Sequence, residues 1–370
     1  MSRFRNETAF RHDATERMGV LLVNLGTPDE PTTKAVRRYL AEFLWDPRVV
    51  EVPRPLWWLI LHLGILPFRP SKSAEAYREI WTDKGSPLLH FSRRQALSLD
   101  IALGRGFAGP TTVTVAMRYG NPSIPDALRS MQKKNVRRLL IVPMFPQYSA
   151  TTTASVFGAV TRELATWRRI PEVRFVNEYH DHPAYINALA LSIRRHWDEK
   201  GRGDKLLMSF HGIPKRYLLA GDPYHCQCHK TARLLADALE LAPSQWQISF
   251  QSRLGREEWL KPYTDTELEK WADAGVKKVD VVCPGFPADC LETLEDVAMQ
   301  YQELFVERGG ESLTYIPCLN DDTDHIAFLA ALVHGNTRGW PEGERERDMD
   351  AVNASTQRRL QRARSLGAER

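Results

Sequence analysis

Two α/β lobes, each a four-stranded parallel sheet flanked by helices, are predicted by three observations on this chain. They are its length, a coarse internal duplication, and short β-branched runs that alternate with amphipathic stretches. Single cores rarely grow far beyond the low hundreds of residues, so 370 residues with 43% hydrophobic side chains imply two domains.

The duplication places the strands in order. Val20-Leu21-Leu22-Val23-Asn24-Leu25-Gly26-Thr27-Pro28 parallels Leu206-Leu207-Met208-Ser209-Phe210-His211-Gly212-Ile213-Pro214, each an apolar run stopped by Gly-x-Pro. Ala116-Met117-Arg118-Tyr119-Gly120 parallels Gln251-Ser252-Arg253-Leu254-Gly255, sharing the Arg and the Gly. Val136 to Pro146 parallels Val276 to Pro287, the second copy carrying Cys283 as an insertion before Pro-x-Phe-Pro. A fourth pair, Val173 to Tyr179 and Leu313 to Leu319, closes each half. The expected lobes are therefore 18–180 and 181–335, joined by a helix from Pro183. A polar extension precedes them over 1–17, and 341–370, rich in Glu, Asp and Arg, reads as a solvated, disordered tail.

Charge narrows the partners. The net charge is +4, and Asn353 to Arg370, with five Arg against one Glu, carries all of it. The near-neutral body argues against nucleic acid as the main partner. The charged N-terminus lacks a secretory pattern, so the expected compartment is the cytoplasm, where five Cys stay reduced. The longest apolar run, Pro55 to Leu66, is interrupted by His62 and Gly64 and is too short to span a bilayer, although it could rest on one or cover a greasy ligand.

In open parallel sheets the ligand crevice lies beyond the carboxyl ends of the strands, which is where the paired motifs differ. The duplication sets Leu25 opposite His211 and Thr151 opposite Glu292. A histidine at one strand end is as readily a packing residue, and a carboxylate in a first helical turn favours the macrodipole whatever else it does. Together, at equivalent strand ends, they are better explained by chemistry. Imidazole accepts protons near neutral pH, and a carboxylate relays protons or binds a cation.

Other signals read as structure. Gly104 to Gly109 fits G-x-G-x-x-G but follows a helix and precedes a strand, the reverse of the dinucleotide fingerprint. Tyr224-His225-Cys226-Gln227-Cys228-His229 crowds metal-ligand types together without a second pair elsewhere, and reads as a helix start with incidental thiols.

His211-Gly212-Ile213-Pro214, Phe286-Pro287-Ala288-Asp289-Cys290-Leu291-Glu292-Thr293-Leu294, Phe145-Pro146-Gln147-Tyr148-Ser149 and Asn24-Leu25-Gly26-Thr27-Pro28 resemble the ferrochelatase family, in the family's order and over about Gly19 to Leu332. The resemblance implies two Rossmann-like lobes with the active-site cleft between them. It implies insertion of Fe(II) into protoporphyrin IX to give protoheme, with iron as substrate and no tightly bound cofactor. His211 is then the proton acceptor or iron ligand, Glu292 its partner, and Asp289 an extension of the acidic path. Tyr224 and Trp259 line the cleft, Leu25 touches the opposite face of the ring, and Arg118 binds substrate. Residues 55–70 correspond to a hydrophobic lip, a place for peripheral contact at the inner membrane face. Cys290 stands where many members have His, and Ala150 where some have a cluster Cys, so no [2Fe–2S] cluster is expected. Coproporphyrin or cobalt chelation on the same scaffold, and tetrapyrrole binding without catalysis, are the alternatives.

Overall fold

The computed structural model describes residues 4–5, 11–253, 255, 257–343 and 349–368. Two four-stranded, all-parallel sheets are present, and their strand orders are the same. The first lobe holds β1 (Arg17–Thr27), β2 (Thr111–Gly120), β3 (Val136–Pro143) and β4 (Glu172–Phe175) in the order β2-β1-β3-β4. In the second lobe β5 (Lys205–His211), β6 (Trp246–Gln251), β7 (Lys278–Val282) and β8 (Ser312–Tyr315) run β6-β5-β7-β8. The four sequence pairs are thus the four topologically equivalent strands. Leu254, in the second pair, lies outside the described residues.

β1 is buried nearly throughout, as a central strand covered by helices on both faces must be. The Gly-rich decoy is the end of helix Pro87–Gly106, which leads through Phe107 into β2. The link between the lobes is the helix Pro183–Lys200, entered through His182, whose Nδ1 accepts from the Ala184 amide at 3.2 Å.

The lobes do not keep separate cores. One cluster joins Val20, Leu22 and Met117 of the first to Met208, Phe210 and Val282 of the second. The helix Thr323–Asn336 from the end of the second lobe packs on Pro87–Gly106 of the first, so the division near residue 180 separates sheets rather than packing units.

Two expectations about the ends change. Within 341–370, the helix Met349–Ser365 replaces the expected disordered tail, while 344–348 and 369–370 lie outside the described residues. Alternating Arg, Ala and Gln suit an exposed helix, and Arg359 fixes it by donating from Nε to the His12 carbonyl at 2.8 Å. Within 1–17, Arg17 already belongs to β1, and the Arg5 amide donates to the Thr166 carbonyl at 2.8 Å. Residues 1–3 and 6–10 of that extension lie outside the described residues.

Candidate active site

The turn that ends β1 needs glycine. Gly26 has φ +126°, and a Cβ there would lie 1.8 Å from the Tyr119 carbonyl oxygen of the neighbouring strand. This close approach delivers Leu25, half-buried, onto a cluster containing Tyr77, Tyr119, Leu291 and Leu294. Leu25 of the first lobe and the residues flanking Glu292 of the second therefore share one apolar surface.

His211 ends β5. Its Nδ1 lies 2.6 Å from the Gly212 carbonyl oxygen. A carbonyl only accepts, so Nδ1 carries the proton and Nε2 presents a lone pair. Behind the ring, the Tyr224 hydroxyl donates to the His211 carbonyl at 2.9 Å, and the Gly212 amide donates to the Gln251 carbonyl at 2.7 Å. Trp259 closes against this turn: a Cβ on Gly212 would meet its ring at 3.2 Å. Trp259 is half-buried beside this turn, and Tyr224 is buried behind His211.

Glu292 opens a nine-residue π-helix, Glu292–Gln300. π-Helices are rare and gather at functional sites because their wider turn re-aims side chains. Gln251, at the end of β6, donates from Nε2 to the Glu292 carbonyl at 3.3 Å and ties this helix to the strand beside His211. Four residues further on, Asp296 accepts from Ser252 Oγ at 3.0 Å. Burial, the neighbouring Glu295 and the charge of Glu292 push the Asp296 carboxyl up to about 8. From the first lobe, Tyr39 and Tyr77 are buried close enough to feel Glu292, and burial followed by nearby charge raises both hydroxyls well above the ordinary tyrosine value. The Cys290 thiol, hydrogen-bonded to Glu292, is likewise pushed up, chiefly by burial.

Two expected site residues are occupied elsewhere. Asp289 is buried, and its carboxylate accepts from the Tyr315 hydroxyl (2.6 Å), the Cys318 amide (3.1 Å), Asn320 Nδ2 (2.7 Å) and Thr293 Oγ1 (3.4 Å). Such a saturated carboxylate pins the loop before the π-helix, and Asp296 is a further buried carboxyl along that helix from Glu292. Arg118 lies in a buried pair, with Nη2 on Asp46 Oδ2 at 2.5 Å and Nε on Ser155 Oγ at 2.7 Å; the side chains are 13% and 5% exposed. Its charge is met by Asp46 inside the protein. Free cations stand instead at the lip: among the described residues Arg69 and Lys72 are exposed and form no ion pair.

The lip is folded as a helix Arg54–Leu59 running into a π-turn Ile60–Ile65. Trp57 and Leu61 face inward, and Trp57 Nε1 donates to the Leu44 carbonyl at 2.7 Å. Leu56, Trp58, Leu59, Leu63 and Phe68 are exposed. No helix among the described residues is long and apolar enough to cross a membrane.

Paired parallel sheets with an imidazole and a carboxylate at their strand ends define a two-lobed, chelatase-type α/β protein. Its fold is similar to that of SirB from Bacillus subtilis solved with Fe3+ (TM-score 0.51, 11% identity, 89% of this chain and 100% of that one). The ferrochelatase family model matches residues 17–337. The chain is 55% identical to a ferrochelatase of Nitrosococcus oceani over 367 residues, 99% of each chain, and 56% identical to one of Marinobacter nauticus over 331 residues, 90% of each. It belongs to the ferrochelatase family.

Proposed function

We propose that this enzyme inserts Fe(II) into protoporphyrin IX to form protoheme, with the ring held between Leu25 and His211. The observation that carries the role of His211 is its tautomer: with Nδ1–H given to Gly212, Nε2 is a ready proton acceptor at a strand end.

A flat porphyrin hides its nitrogen lone pairs in the ring plane. Apolar contact on one face and the His211–Trp259 turn on the other favour a bent ring, in which the lone pairs are exposed to the metal. Entry of Fe(II) replaces two N–H protons, so the product is neutral at the core and two protons must leave. Nε2 of His211 takes a proton from the ring. Glu292 and Asp296, four residues apart on one π-helix, form the line along which protons pass outward; a carboxyl near pH 8 both accepts and releases them in the physiological range. Arg69 and Lys72, exposed beside the apolar lip, are the cations we assign to the propionates. The exposed apolar lip rests on a bilayer that holds the poorly soluble substrate.

The test is an anaerobic absorbance assay with Fe(II) on protoporphyrin and coproporphyrin side by side. Protoporphyrin turnover is expected, and His211→Ala is expected to lower kcat by about 10²–10⁴-fold, the scale of a lost general base, with circular dichroism unchanged. Turnover retained in His211→Ala would remove the imidazole from the mechanism, and coproporphyrin preference would reassign the substrate.

A further inference from the structure

The helix Tyr224–Ala238 begins with the residue whose hydroxyl holds the His211 carbonyl, and its first two turns carry an independent feature. His225 and His229 are four residues apart on one helical face, and their Nε2 atoms approach to 3.1 Å. The His225 ring stacks on Phe250 of the edge strand β6, with centroids 5.7 Å apart at 19°, and His229 also leans on Phe250, at 6.2 Å. One aromatic wall thus brings both Nε2 atoms together; without an ion one Nε2–H donates to the other, and moving that proton to Nδ1 turns both lone pairs to a single point.

The separation, that of an imidazole–imidazole hydrogen bond, also suits two nitrogens sharing one cation. Nitrogens bound to Zn(II) at about 2.0–2.1 Å lie about 2.9 Å apart at a right angle and about 3.4 Å apart in a tetrahedron. The observed 3.1 Å falls between these limits, so a cation enters with ring adjustments of a few tenths of an ångström. Burial lowers the affinity of both imidazoles for protons, and for His229 the neighbouring His225 lowers it further. Neutral imidazole is the ligand form. We propose that His225 and His229 form an accessory site for one borderline divalent cation, of the Zn(II), Cu(II) or Ni(II) kind, outside the porphyrin cleft. Imidazole selects this group of metals over harder ions. Among the described residues no third His, Cys, Asp or Glu converges with the pair, so water fills the remaining positions and the ion exchanges freely. Its place beside Tyr224 puts the bound ion on the element that positions His211, while none of its ligands belongs to the proposed proton path.

Metal binding by the full chain tests this without reference to turnover. A His211→Ala background removes the central imidazole. There, Zn(II) calorimetry is expected to find one ion per chain, and Cu(II) electron paramagnetic resonance is expected to show coupling to two imidazole nitrogens. Adding His229→Gln, an exposed change that spares folding, or His225→Gln should weaken Zn(II) by about tenfold or more, since even changes beyond the ligands cost that much. Unaltered binding in His229→Gln, or a Cu(II) spectrum without two nitrogens, overturns the site. Either result leaves iron insertion untouched.

Discussion

Asp296 holds a proton in the folded enzyme that the unfolded chain releases near pH 4. Because its folded value is raised to about 8, stability falls as pH rises from about 4 to 8 and levels off above that. Asp296→Asn lacks this slope, so its Tm should gain on the parent's between pH 5 and pH 8.5, while kcat falls by about 10²-fold through loss of the relay. Parallel Tm profiles would place the proton elsewhere. Arg118 makes a contrasting case. Removing it strands the buried Asp46, and Arg118→Met should cost about 3–5 kcal/mol in urea unfolding, most of which Arg118→Met with Asp46→Asn restores. A KM effect without loss of stability would instead assign Arg118 to substrate. His211 and Glu292 could be proposed from sequence because they break the symmetry of a duplication. Asp296, Tyr39 and Tyr77 could not: nothing in their sequence neighbourhoods differs from surface or core residues until a π-turn and the opposite lobe bring them to Glu292.

At the scale of elements, the strands were readable because parallel strands buried on both faces are continuous apolar runs, as β1 and β5 are. The π-helices were not, since periodicity over nine residues does not separate a 3.6-residue turn from a wider one. Their difference matters between the lobes: Thr151 leads into an ordinary helix, Thr153–Leu164, whereas its counterpart Glu292 opens the π-helix. The lip divides its aromatic pair, Trp57 inward and Trp58 outward, which a run without a polar face gave no means of assigning. Leu63 and Phe68 are 66% and 74% exposed, so Leu63→Glu with Phe68→Glu should abolish co-sedimentation with anionic vesicles and leave iron insertion into a detergent-solubilised porphyrin nearly unchanged. Undiminished vesicle binding would remove the lip from membrane contact.

For the whole molecule, duplication predicted two sheets of like order but not how they unite. The shared cluster of Val20, Leu22, Met208 and Phe210, with the Thr323–Asn336 helix crossing to the first lobe, couples the halves. Urea unfolding followed by tryptophan fluorescence and far-ultraviolet dichroism should therefore give coincident single transitions, whereas two separated steps would show that each lobe holds itself.

The Gly212 carbonyl that fixes the His211 tautomer is neutral, and this sets a timetable for turnover. Once protonated, the imidazolium has no carboxylate on its other nitrogen to cancel its charge. A dication approaching to 4 Å would meet a repulsion of about 8 kcal/mol at an effective dielectric constant of about 20. In the proposed mechanism the proton on His211 must therefore drain before another dication can approach that nitrogen, and the neutral backbone oxygen makes proton release the step that readies the site.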